Sequence, residues 1–147
     1  MSDDNGADQY QRKDKLLTDY NTVLNESRVL VTFSAILFGF LLNASIVKSE
    51  HVEFYNQVVL TSALSSITVA ASLFIMPVIY HHLQFPYASL EKFIARTHRF
   101  ILIGLVPTGI TLYLGLELSL SFFFGYFAFV VAALPFIVVY ILFIKRK

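Results

Sequence analysis

Polar and apolar positions divide this chain into long blocks rather than short alternations. Four windows contain no Asp, Glu, Lys, Arg or His: 29–47, 54–80, 100–116 and 118–144. A helix needs about 20 apolar residues to cross a hydrocarbon core, with a range of roughly 17–25. The first window meets that length. The second is longer and predicts a helix that tilts or protrudes. The third is at the short limit, but Phe93, Ile94 and Ala95 precede it and Arg96 and Arg99 can snorkel, which predicts an earlier start. The fourth is the least polar. None shows the period-two alternation of a membrane β-strand. The pattern therefore predicts an all-α fold of four transmembrane helices at about 29–47, 56–80, 96–116 and 120–144. Short connections favour an up-down antiparallel bundle.

Two stretches outside the spans have patterns of their own. Leu16, Leu17, Tyr20, Val23 and Leu24 recur on one helical face. They predict an amphipathic helix at the cytoplasmic interface, lying there or running on into the first span. Residues 1–9 are small, polar and acidic, which predicts a disordered cytoplasmic tail before a single membrane domain at 10–147. The N-terminal stretch lacks the basic-then-apolar order of a signal peptide, so the first span is expected to be retained. Pro86, followed by Leu90, Phe93, Ile94 and Thr97, predicts a helical lead-in to the third span.

Composition agrees with this pattern and narrows the class. Of 147 residues, 56% are hydrophobic and 14% charged, against about a quarter charged in a soluble domain. That excludes a soluble globular protein and a disordered one. The formal net charge of +1 implies no nucleic-acid partner, and the absence of cysteine excludes disulfides and thiolate metal sites.

The few charges orient the chain. Every Lys and Arg except Lys48 falls in the N-terminal segment, the second connection or the C-terminus. The positive-inside rule then places both termini in the cytoplasm of a cell with a multi-pass protein in its cytoplasmic membrane.

Candidate chemistry sits at two levels. At the cytoplasmic mouth, Glu26, Arg28, His81, His82, Arg96 and Arg99 are expected at one depth, with Glu26 reaching Arg96 or Arg99 on a neighbouring helix. Such a ring serves as an interfacial anchor or as a gate responsive to protons or anions. Within the spans, Asn43, Thr61, Ser65, Thr68 and Ser72 are the polar candidates. Together with the Ala35-Gly39-Asn43 and Gly104-Thr108-Thr111-Gly115 stripes, they are expected either to form helix seams or to line a narrow polar path. Adjacent His81 and His82 diverge on a helix, so no metal site is expected. No cofactor site, catalytic triad, paired carboxylates, HExxH or phosphate loop is present, which argues against an enzyme.

Several short motifs resemble an uncharacterised family of small four-helix integral membrane proteins from bacteria and archaea. They are Leu24-Asn25-Glu26-Ser27-Arg28-Val29, Leu37-Phe38-Gly39-Phe40-Leu41-Leu42, Pro77-Val78-Ile79-Tyr80-His81, Phe85, Lys92, Ala95, Arg99, Gly104-Leu105 and Thr108-Gly109. The similarity covers about residues 16–144. It implies the four-helix membrane fold. Some members carry a sodium:proton antiporter label, but such exchange uses a carboxylate inside the membrane. The spans drawn above hold none, with Glu26 and Glu117 at their edges. The leading expectation is a self-associating transport or channel-like unit for a small solute or ion, with the lipid bilayer as its surroundings. The alternative is an accessory or scaffolding subunit of a larger membrane complex.

Overall fold

The computed structural model describes residues 4–47, 54–84 and 90–146. Helix α1 runs Asp4–Val47, α2 Phe54–Gln84, α3 Leu90–Phe124 and α4 Ala128–Lys145, with a 3-10 turn at Gly125–Phe127 before α4. Each helix contains a stretch long and apolar enough to cross a membrane. In hydrocarbon every backbone N–H and C=O must be paired inside its own segment or barrel, and helices do this without neighbours. The all-α, four-helix class follows. Residues 48–53 and Pro86, which carry the first connection and the expected lead-in, lie outside the described residues. So do Met1–Asp3 of the predicted tail, and α1 begins within that tail at Asp4.

Of the two arrangements open to the amphipathic N-terminal segment, it runs on into the first span as the first part of α1. That helix has 44 residues, about 66 Å at 1.5 Å per residue, twice the thickness of a hydrocarbon core of about 30 Å. One boundary differs from the sequence expectation: the turn between the last two helices is not at Glu117. Helix α3 continues through it to Phe124, and the chain reverses at Gly125, whose φ is +54°. Only glycine takes that left-handed conformation without a Cβ clash. A charged residue marked the gap in the hydropathy pattern, but the backbone turns where glycine permits it.

Register follows from side-chain pairs. Tyr20 meets His81 and Ser27 meets Phe74, so α1 and α2 are antiparallel. Phe74 meets Gly104, Thr111 meets Ala63 and Tyr55 meets Glu117, so α2 and α3 are antiparallel as well. Among the described residues, helix α4 packs on α3 and the 3-10 turn before it, through Tyr113 against Phe129 and Phe136, and leaves most of its surface exposed. The packed interior is therefore built by α1, α2 and α3.

That interior has a regular spacing. Inward positions on α2 are Leu60, Ala63, Ile67, Ala70, Phe74 and Pro77, in alternating steps of three and four. Ser27, Ser34 and Leu41 on α1, and Thr97, Gly104, Thr108, Thr111 and Leu118 on α3, fall on the same heptad-like spacing. This is the spacing that membrane helix bundles share with coiled coils, and small residues at it let backbones approach. At Gly104 the approach is tightest. A Cβ built there would sit 2.5 Å from a ring carbon of Phe74, itself fully buried.

Candidate functional site

The predicted intramembrane polar residues are not at the helix seams. Thr61, Ser65, Thr68 and Ser72 are all exposed on the face of α2 directed away from α1 and α3. Thr68 and Ser72 return their hydroxyls to backbone carbonyls one turn back, at Leu64 and Thr68. Asn43 is exposed, as are Ala35 and Gly39 beneath it, and a Cβ on Gly39 would meet nothing within 4 Å. Of the small-residue stripes, only the third is inward. Gly104, Thr108 and Thr111 are buried and Gly115 is half-buried.

The seams use other hydroxyls. Ser27 donates to the Phe74 carbonyl at 2.6 Å, Ser66 to the Pro107 carbonyl at 3.0 Å, and Thr111 to the carbonyls of Pro107 at 2.9 Å and Ala63 at 3.4 Å. Phe74 and Pro107 lie close to or at the prolines inside α2 and α3. The carbonyls that the two prolines deprive of a donor lie four residues earlier, at Leu73 and Ile103, so these bonds tie the helices together beside the prolines and do not replace the lost donors.

The predicted cluster of ionisable residues at the mouth is brought together only in part. His81 is half-buried, and its Nδ1 lies 3.1 Å from the Tyr20 hydroxyl. Phe93 packs beside both, with ring centroids 5.7 Å from Tyr20 and 6.5 Å from His81. The Arg96 guanidinium lies 5.0 Å from the centre of the Tyr80 ring, a cation–π contact. Glu26, Arg28, His82 and Arg99 are exposed. The ion pair between helices joins Arg12 to Glu91 at 3.0 Å. A Glu26 pairing with Arg96 or Arg99 is not found among the described residues. Tyr20, Tyr80 and Phe93 were missed as partners of this cluster. The apolar face that placed Tyr20 inward was the signal available for it.

The largest omission is at the opposite end of the bundle. Glu117 is 3% exposed, and Tyr55, in the first turn of α2, donates its hydroxyl to Glu117 Oε1 at 2.5 Å. That is the length of a charge-assisted O–H···O⁻ bond. Because α3 runs on to Phe124, Glu117 lies inside a membrane-capable segment, Leu90–Ser121. Glu117 lies four residues before the end of that segment, within the helix rather than in a connection. No local signal separates the two places, since Gly115 and Ser119 flank Glu117 just as Gly125 marks the actual reversal.

Tyr113, one turn before Glu117, gives its hydroxyl to the Phe129 carbonyl of α4 at 3.2 Å. Beside this site an apolar groove of about 320 Å³ opens between α1 and α3, lined by Leu37, Phe40, Leu41, Thr111, Leu112 and Gly115 among others. Among the described residues no three His, Asp or Glu gather in a metal-binding group.

Residues 9–145 match the model of a family described as a family of unknown function (DUF6328). The chain belongs to this family. The match bears out the expectation of an uncharacterised family, and the description assigns it no activity. No curated protein and no solved structure matches the chain.

Proposed function

We propose that this DUF6328 protein is a self-assembling transport or channel-like unit for a small solute or ion, without catalytic chemistry of its own. In this reading both termini face the cytoplasm, following the bias of its basic residues. The observation that carries it is the outward direction of the α2 hydroxyl face, Thr61, Ser65, Thr68 and Ser72. The interior of one protomer is filled by Phe74, Ile67 and Ala63, all fully buried. A polar path therefore runs between copies, with the α2 faces turned toward one another.

The test is ion and solute flux into liposomes holding the purified protein, with Ser65→Ala and Glu26→Gln beside the wild type. Flux above empty vesicles, reduced by Ser65→Ala, supports the reading. Flux equal to empty vesicles for every solute tried refutes it.

A second reading has its own observation. The Ala35-Gly39-Asn43 stripe of α1 is exposed, with open space over Gly39, the kind of surface on which another membrane helix packs closely. It favours an accessory subunit of a larger complex. Recovery of self-copies alone in a mild-detergent pulldown counts against it.

A further inference from the structure

The last two helices touch along only part of their length. Ala128 and Ala132 in the first half of α4 are buried, and Phe129 and Phe136 meet Tyr113 of α3 with ring centroids 5.8 and 5.9 Å apart. Beyond Phe136 the packing ends. Residues 137–144 are each 47% exposed or more, and they go round the helix more than twice, so the described residues cover no face of that half. The facing stripe of α3 is open as well. Steps of four and three back from Tyr113 reach Gly109, Val106, Leu102 and Arg99. Val106 and Leu102 are 64% and 51% exposed, and a Cβ on Gly109 would meet nothing within 4 Å. Between them the two helices leave an apolar wedge, closed at Tyr113 and open toward the basic end of the bundle.

The rim of the wedge is cationic. At 1.5 Å per residue, Arg99 lies about 21 Å along α3 from Tyr113, and Lys145 about 14–24 Å along α4 from the two phenylalanines that meet it. Arg99, Lys145 and Arg146 therefore end the wedge at one depth, and all three are exposed. The nearby acid of α3, Glu91, is paired with Arg12 of α1. Residues 85–89, outside the described residues, contain no charged side chain to add to this rim.

We propose that this wedge binds one anionic phospholipid. Its acyl chains lie against Leu102, Val106 and the second half of α4, and its phosphate sits between Arg99 and the Lys145-Arg146 pair. Basic pockets between membrane helices select anionic headgroups, and long basic side chains reach the headgroup level from the ends of spans. A zwitterionic lipid fills the apolar walls equally well but brings a cation of its own to the rim. A helix of a second copy matches the walls and not the rim, because α2, α4 and residues 29–47 contain no Asp or Glu. The site is independent of whether the protein conducts anything.

The experiment is native mass spectrometry of the full chain in mild detergent, titrated with phosphatidylglycerol and with phosphatidylcholine of the same acyl chains. The expected result is one phosphatidylglycerol retained per protomer, bound about tenfold more tightly than phosphatidylcholine. Arg99→Gln with Lys145→Gln should erase that preference. Lys13→Gln with Lys15→Gln removes the same charge from α1 and should keep it. Val106→Phe fills the wedge without touching its charge and should weaken retention of both lipids. It carries the decision if the Arg99 and Lys145 variant does not fold. Equal retention of the two lipids by wild type overturns the proposal, as does an equal loss of preference in both double variants. Displacement of the lipid by glycerol phosphate at equal concentration overturns it in favour of an anion site without acyl chains. A lipid-free dimer that Val106→Phe dissociates overturns it in favour of a second copy.

Discussion

The bundle holds two sets of hydroxyl residues with the same chemistry and opposite surroundings. Ser27, Ser66 and Thr111 point between helices and bond carbonyls on a neighbour or beside a proline. Thr61, Ser65, Thr68 and Ser72 point outward, and those of Thr68 and Ser72 close back on their own helix. Composition and spacing do not separate the two sets. Geometry does: the inward residues reach carbonyls of a facing helix, in a bundle whose closest approach is at Phe74 and Gly104. A hydroxyl satisfied by its own helix can face lipid at little cost, so polarity in a membrane helix does not by itself mean an inward face. The outward set adds little to the protomer's stability and is left for contacts beyond it.

The difference can be broken at several points. Phe74→Ala removes the ring that fills the space over Gly104 and should destabilise the fold most, by about 3–5 kcal/mol, as read by reversible unfolding in bicelles. Gly104→Ala places a methyl where the ring now sits and should cost about 1–3 kcal/mol. Gly39→Ala, with open space above it, is the control and should cost nothing measurable. Ser27→Ala deletes an interhelical bond of a kind worth about 0.6 kcal/mol on average and at most about 1.7. Ser34 is buried, and its hydroxyl has no partner among the described residues, so Ser34→Ala should be neutral or stabilising. A loss equal to that of Ser27→Ala would reveal an unseen partner. Smallest in stability is Thr68→Val with Ser72→Ala, within about 0.5 kcal/mol. That pair should instead weaken self-association in sedimentation measurements. A large loss of stability with unchanged association would erase the distinction between the two sets.

How much of this was legible beforehand differs by element. The four helices were, because 17 or more apolar residues in a row leave few other solutions. The inward stripe of α3 was also legible through Gly104, Thr108 and Thr111, because small and hydroxyl residues coincide there with the contact face. On α2 the same logic pointed to the wrong side: its inward face is Ala63, Ile67, Ala70 and Phe74, no more apolar than the Val69 and Ile75 beside the outward hydroxyls. Glu117 was misread for a related reason. A lone charge in the pattern reads as the end of a span, whereas Tyr55, 62 positions away, makes its burial tolerable.

The sequence by itself determined the number of helices and their membrane class, because hydrocarbon leaves a long apolar segment only one way to pair its backbone. It also determined the sorting of basic residues to one side. Tertiary structure alone decided which face of each helix is inward, that α4 rides on α3, and that a carboxylate is buried within α3. Lipid is as apolar as the bundle interior, so no hydrophobic force sorts the faces. Close packing at Gly104 and a few hydrogen bonds between distant residues do so instead, and neither is written in any local pattern.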